Sequence, residues 1–190
     1  MSQDDLVTAL GNPAFYPHRE VDHPSTQAAK TSRLHRMLGT LPPHVVFVPL
    51  DFATEGFGRA MDAAGFDGAT RTVWIWEGVT NYLTAEAVDA TLRYVATSAP
   101  GSRLLFTYVH RGVLDGSTVF AGTDALVATL RRAGEPWTFG IDPATLRAFL
   151  TARGLALAAD SGAAEYRARY LGRPMSGYEF YRAAVAEVPA

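Results

Sequence analysis

Four short apolar runs separated by helix-length amphipathic segments constrain this chain more than any other feature. A strand that is buried on both faces needs a crossover segment to reach a parallel neighbour, so this alternation predicts an α/β domain with a mostly parallel sheet. His44 to Leu50, introduced by Pro42-Pro43 and rich in valine, reads as a buried strand, as do Thr72 to Trp76 and Arg103 to Val109. Leu155 to Ala159 is a weaker fourth. Ala53 to Ala64 and Ala85 to Ser98 read as crossover helices, the second capped by Thr84 and stopped by Pro100-Gly101. Asp142-Pro143 opens a helix over Ala144 to Arg153 that Gly154 ends. Tyr178 to Val188 reads as an edge strand or a short helix, while Arg111 to Gly122 and Ala159 to Gly177 read as the longest irregular connections.

Composition narrows the class. With 190 residues and 48% hydrophobic side chains, one domain spanning 1–190 can bury its own core. A net charge of -2, from 17 basic and 19 acidic residues spread along the chain, gives no footprint for nucleic acid or an anionic membrane. Cysteine is absent, which removes disulfides and thiolate metal sites. The polar, acidic start from Met1 to Asp5 lacks the form of a signal peptide, and no apolar run approaches the roughly 20 residues of a membrane span. A cytoplasmic protein is expected.

In parallel α/β sheets ligands gather beyond the carboxyl ends of the strands. Asp22 after Arg19-Glu20-Val21, Asp51 after Val45 to Leu50, and Glu77 after Val73 to Trp76 all hold that position. Each carboxylate there can accept from ribose hydroxyls or an adenine amino group, or simply cap a helix or begin a turn. Asp22 has a direct competing use as the cap of the helix-like stretch Pro24 to Leu38. Tyr108 and His110, at the end of the Arg103 to Val109 run, are the best-placed candidates for a general base, but His110 reads more readily as a turn residue, and no residue is assigned to catalysis. Trp74 and Trp76 read as core packing. The histidines show no metal-ligand spacing, so no metal is expected.

The order of three motifs carries a resemblance: Glu20-Val21-Asp22-His23-Pro24-Ser25-Thr26-Gln27, then Pro42-Pro43-His44-Val45 to Asp51-Phe52, then Trp76-Glu77-Gly78-Val79-Thr80-Asn81-Tyr82-Leu83. Leu171-Gly172-Arg173-Pro174 and Gly177-Tyr178-Glu179-Phe180-Tyr181 extend it. The chain resembles the leucine carboxyl methyltransferase family, in particular its bacterial branch of S-adenosylmethionine-dependent O-methyltransferases of secondary metabolism. The resemblance implies a Rossmann-like class I methyltransferase fold, a seven-stranded sheet in which Tyr178 to Val185 forms the antiparallel strand. It further implies S-adenosyl-L-methionine as cofactor, with Asp22 on the ribose, Asp51 and Phe52 beside the adenine, and Glu77 as the acid after the fourth strand. Its partner would be a small-molecule methyl acceptor bearing a carboxylate or a hydroxyl.

The family's first strand and glycine-rich loop, with Gly-x-Gly and Asp-Thr-Arg, do not precede Asp22. The chain therefore reads as shortened at its amino terminus, with Leu6 to Leu10 and Gly11 as a surrogate strand and turn. A missing central strand exposes backbone groups, so self-association is expected. The alternative function is a non-catalytic remnant or interaction protein that has lost the cofactor.

Overall fold

The computed structural model describes residues 18–172 and 177–190, so the Leu6 to Leu10 surrogate strand, Gly11, and Arg173-Pro174 of the extended motif lie outside the described residues. The chain divides into two compact units, Met1–Phe66 and Asp67–Ala190.

In the first unit, β1 (His18–Asp22) and β2 (Val45–Pro49) form a parallel pair whose register sets Asp22 opposite Pro49. Between them runs α1 (Pro24–Leu38), with proline in its first turn and His23 as its cap. The His23 ring accepts from the Ser25 amide, so the capping role that competed for Asp22 falls to the next residue. The expected Ala53 to Ala64 helix shortens to α2 (Phe57–Ala63), because Asp51 folds 51–55 into a turn in which its own carbonyl accepts from Thr54 and Glu55. Val48, Leu50, Phe57 and Met61 are the buried apolar residues of this unit among those described.

The second unit carries the strand order β3-β4-β6-β5, from β3 (Val73–Trp76), β4 (Arg103–Val109), β5 (Ala156–Gly162) and β6 (Tyr181–Glu187). β3 and β4 are parallel, and β6 runs antiparallel to both β4 and β5. The carboxyl-terminal segment is thus a strand, as the resemblance implied, but it lies inside the sheet, and β5 takes the edge. Leu104, Phe106 and Tyr108 turn to the buried face of β4. The amphipathic helix α3 (Ala85–Val95), capped by Thr84 as expected, buries Val88, Leu92 and Val95 at helical spacing. Burial of side chains of this size stabilises by roughly 1.5–3 kcal/mol each.

The expectation of strands buried on both faces is corrected here. Val73 and Ile75 are 58% and 73% exposed, whereas Trp74 turns inward, donates its indole N–H to Ser98 at 3.1 Å and meets Tyr94 edge-on. Core packing for Trp74 holds, since the strand is covered on one face only. Two expected irregular connections also carry structure: Arg111 to Gly122 contains α4 (Gly112–Asp115), and Ala159 to Gly177 contains the end of β5 and α7 (Ala163–Leu171). Alanine, arginine and glutamate make 163–171 a good helix without an apolar stripe to reveal it, and Glu165 caps it by accepting from Gly162. Between them lies α5 (Thr123–Ala133). The helix expected over Ala144 to Arg153 is a 3-10 turn, Pro143–Thr145, running into α6 (Leu146–Thr151).

Candidate functional site

Parallel register brings two of the proposed cofactor residues to one edge. β1 ends at Asp22, whose carbonyl accepts from the Leu50 amide at 2.9 Å, so Asp51 emerges two residues beyond the adjacent strand end at Pro49. Asp22 Oδ1 accepts from the His23 amide at 2.7 Å and Asp51 Oδ1 from the Ala53 amide at 2.9 Å. These local bonds take up one oxygen of each carboxylate and fix its direction, and among the described residues no hydrogen bond takes the second oxygen of either. Phe52 is half-buried and stacked on Phe57, with centroids 6.0 Å apart and planes within 10°. That contact gives Phe52 the core-packing role weighed against it in the sequence, and it also holds the ring in a fixed plane.

Glu77 stands in the second unit, exposed, directly after β3. Its loop is pinned from two sides. Gly78, at φ +73° where a side chain is strained, donates its amide to Thr107 Oγ1 at 2.8 Å, and Thr80 Oγ1 donates to the Thr107 carbonyl at 2.7 Å. Asn81, fully buried, receives the amides of Thr138 and Phe139 on its carbonyl. Asp22, Asp51 and Phe52 therefore share one edge of the first unit, while Glu77 occupies the corresponding carboxyl edge of the second.

Neither general-base candidate is available for that work. Tyr108 is sealed in the core, donates its phenol to Asp160 Oδ1 at 3.0 Å, and accepts from Arg182 Nε at 3.0 Å. Burial, followed by the Asp160 charge, pushes its ionisation far above the ordinary tyrosine value of 10.0. His110 Nδ1 accepts from the Gly112 amide at 3.0 Å, so the neutral ring carries its proton on Nε2, which then donates and cannot accept. The turn role weighed for His110 is what the geometry displays, with the ring also 5.2 Å from Phe120.

Sequence reading did not single out Thr107, Asp160, Tyr166 or Arg182, and used Tyr82 and Tyr181 only within motifs. Arg182 Nη2 meets Asp160 Oδ2 at 2.8 Å across β5 and β6, completing the buried Tyr108 network. Burial raises the ionisation of Tyr181, whose ring meets Trp137 with centroids 6.4 Å apart. These partners come together through strand register, which no local signal records. Among the described residues no group of three or more histidine, aspartate or glutamate side chains is placed to hold a metal ion.

In place of the seven-stranded sheet that the resemblance implied, the described residues hold one parallel pair and one four-stranded mixed sheet with β6 antiparallel, an α/β arrangement with the Rossmann-like fold of class I methyltransferases. Residues 10–96 match the model of the leucine carboxyl methyltransferase family. A Mycolicibacterium gilvum protein named "Putative S-adenosyl-L-methionine-dependent methyltransferase" is 44% identical over 98 residues, covering 50% of this chain and 31% of its own length. An O-methyltransferase family protein from Burkholderia thailandensis superposes with a TM-score of 0.52 at 17% identity, over 90% of this chain and 43% of its own. Magnesium protoporphyrin IX methyltransferase from Synechocystis, solved with bound SAH, superposes at 0.50 with 15% identity, over 89% and 62%. The matched stretch spans about a third of the length of the curated relatives.

Proposed function

We propose that this chain carries the nucleotide-binding acids of an S-adenosyl-L-methionine-dependent O-methyltransferase acting on a small organic acceptor, through a carboxylate or a hydroxyl. The observation that carries the reading is the placement of Asp22 and Asp51 at adjacent parallel strand ends, each with one oxygen fixed by a following amide. Carboxylates so held suit a nucleoside, and the fixed plane of Phe52 suits an adenine face. In this reading Asp22 holds the ribose, Asp51 and Phe52 flank the adenine, and Glu77 is the acid after the fourth strand. Such a cofactor, when bound, supplies an activated methyl group whose carbon–sulfur bond breaks as the acceptor oxygen bonds to carbon, the electron pair staying on sulfur. The chain's own task is alignment, for which the pinned Glu77 loop is suited.

The partners in this reading are the acceptor and a second copy of the chain, with no nucleic acid or membrane surface, in a cytoplasmic setting. No helix among the described residues is long and apolar enough to cross a membrane. Self-association rests on the exposed row of Val73, Ile75 and Leu105, which register makes continuous because Ile75 faces Leu105. A monomer by light scattering at all concentrations counts against it.

Thermal unfolding tests the cofactor reading. S-adenosylhomocysteine at about 100 times its Kd is expected to stabilise the chain by roughly 2.7 kcal/mol, seen as a raised Tm. An unmoved Tm at millimolar ligand favours the remnant reading.

A further inference from the structure

Resting on the self-association proposed above, and independent of the cofactor reading, we infer that two copies of this chain join edge to edge through β3. The strands run antiparallel about a twofold axis at Trp74, and the partner's Arg71 is set beside Glu77, the acid that follows β3.

The two edges of the four-stranded sheet differ. At one edge, β5 carries a register shift between Leu157 and Ala159 and turns Asp160 inward to Arg182, two features that discourage pairing with a further strand. At the other, β3 is a run of four apolar residues in unbroken register with β4. The Arg103 amide donates to the Thr72 carbonyl at 2.9 Å, the Thr72 amide to Ser102 Oγ at 3.0 Å, and the Gly78 amide to Thr107 Oγ1 at 2.8 Å. Even-numbered positions from Thr72 to Gly78 thus aim their backbone groups at β4. Alternation along the strand then directs the N–H and C=O groups of Arg71, Val73, Ile75 and Glu77 to the outer edge, where no strand of the sheet follows. Val73 and Ile75 are also the exposed side chains of β3.

This edge is complementary to itself. In an antiparallel pair centred on Trp74, Val73 lies opposite the partner's Ile75 and Arg71 opposite the partner's Glu77, and symmetry repeats each match. Because the backbones of these residues face outward, each match is a hydrogen-bonded pair in which both residues exchange N–H···O bonds. β-branched side chains meet on one face, and the charges flanking the strand meet as opposites. Arg71 and Glu77 are both exposed, and neither has an ion pair among the described residues. Moving the centre to Val73 sets Arg71 against Ile75 and Glu77 against Ala69, while moving it to Ile75 sets them against Val79 and Val73. The register at Trp74 is the one of the three that pairs the charges.

The test uses the full chain, which has no cysteine of its own, so introduced thiols report proximity directly. Sedimentation velocity over a concentration series reports on self-association alone. Val73→Cys and Ile75→Cys chains are then oxidised separately and as an equal mixture. Directly opposite positions lie about 5.5 Å apart at Cα, within disulfide reach, whereas the diagonal spacing of roughly 7–8 Å between like positions is beyond it. The mixture is expected to cross-link at least fivefold faster than either chain alone. Glu77→Arg should weaken the dimer at least fivefold, and adding Arg71→Glu should restore it to within twofold, with folding checked by circular dichroism. A dimer whose cross-linking gains nothing from mixing, or whose strength does not follow the two charge reversals, overturns the edge pairing and leaves self-association through another surface standing. A folded monomer at every concentration, its β3 edge left to another segment of the chain or to a different protein, overturns both.

Discussion

Tyr108 and Asp160 lie 52 positions apart and meet through a 3.0 Å hydrogen bond from a buried phenol to Oδ1. Arg182 closes the network with bonds of 2.8 Å to Oδ2 of Asp160 and 3.0 Å to the phenol oxygen. Three strands of the second unit are thereby tied by one polar network where β4 and β5 near their ends and β6 begins. Replacing Asp160 with alanine leaves Arg182 without its counter-charge, with only 21% of that side chain exposed. The expected loss is about 2–3 kcal/mol, below the full cost of breaking a sealed pair because water reaches part of this one, as read from urea unfolding.

The same network sets a limit at alkaline pH. Tyr108 ionises at 10.0 when unfolded and well above that in the fold, chiefly through burial. Below pH 10 both states hold the proton and the contribution is complete. Above it the unfolded chain releases its proton first, so stability falls as pH rises from about 10 toward the folded value. Tyr108→Phe should flatten that fall in a series of unfolding curves between pH 9 and 11, at some cost in stability at neutral pH.

Gly140 tests the loop that crosses the end of β4. A Cβ there would lie 3.0 Å from both the Val109 carbonyl oxygen and the Arg111 Cα, which are backbone atoms that cannot swing away. The Ile141 amide bonds to that Val109 carbonyl, and the Ile141 carbonyl accepts from the Arg111 amide. Gly140→Ala should therefore destabilise by about 1–3 kcal/mol, as overpacking does, and speed amide exchange at Ile141 and Arg111.

Gly78 separates loop geometry from packing. Nothing lies within 4 Å of a Cβ at this position, yet φ is +73°. Gly78→Ala should cost only about 1–2 kcal/mol in stability, from backbone strain alone. If the Glu77 loop holds cofactor, the same change should weaken S-adenosylhomocysteine several-fold.

Much of this architecture is legible in the residues because it is local. Valine-rich runs, the Thr84 cap and the Asp142-Pro143 start each act within a few positions, and β4 matches its expected bounds. Helix 163–171 escaped because its alanines and arginines make no apolar stripe, and the interior position of β6 escaped because strand order is a long-range property. At the candidate site, strand-end position was enough to select Asp22, Asp51 and Glu77. Whether a carboxylate caps a helix was not readable, and His23 takes that role through side-chain geometry. Thr107, Asp160 and Arg182 acquire their meaning only from cross-strand register.

Calorimetric titration of the 190-residue chain with S-adenosylhomocysteine, repeated on Asp51→Ala and Glu77→Ala, tests the central claim most directly. The account predicts saturable one-to-one binding that each substitution weakens at least tenfold while the chain stays folded by circular dichroism. Binding that neither substitution changes, or no binding by a folded chain, contradicts it.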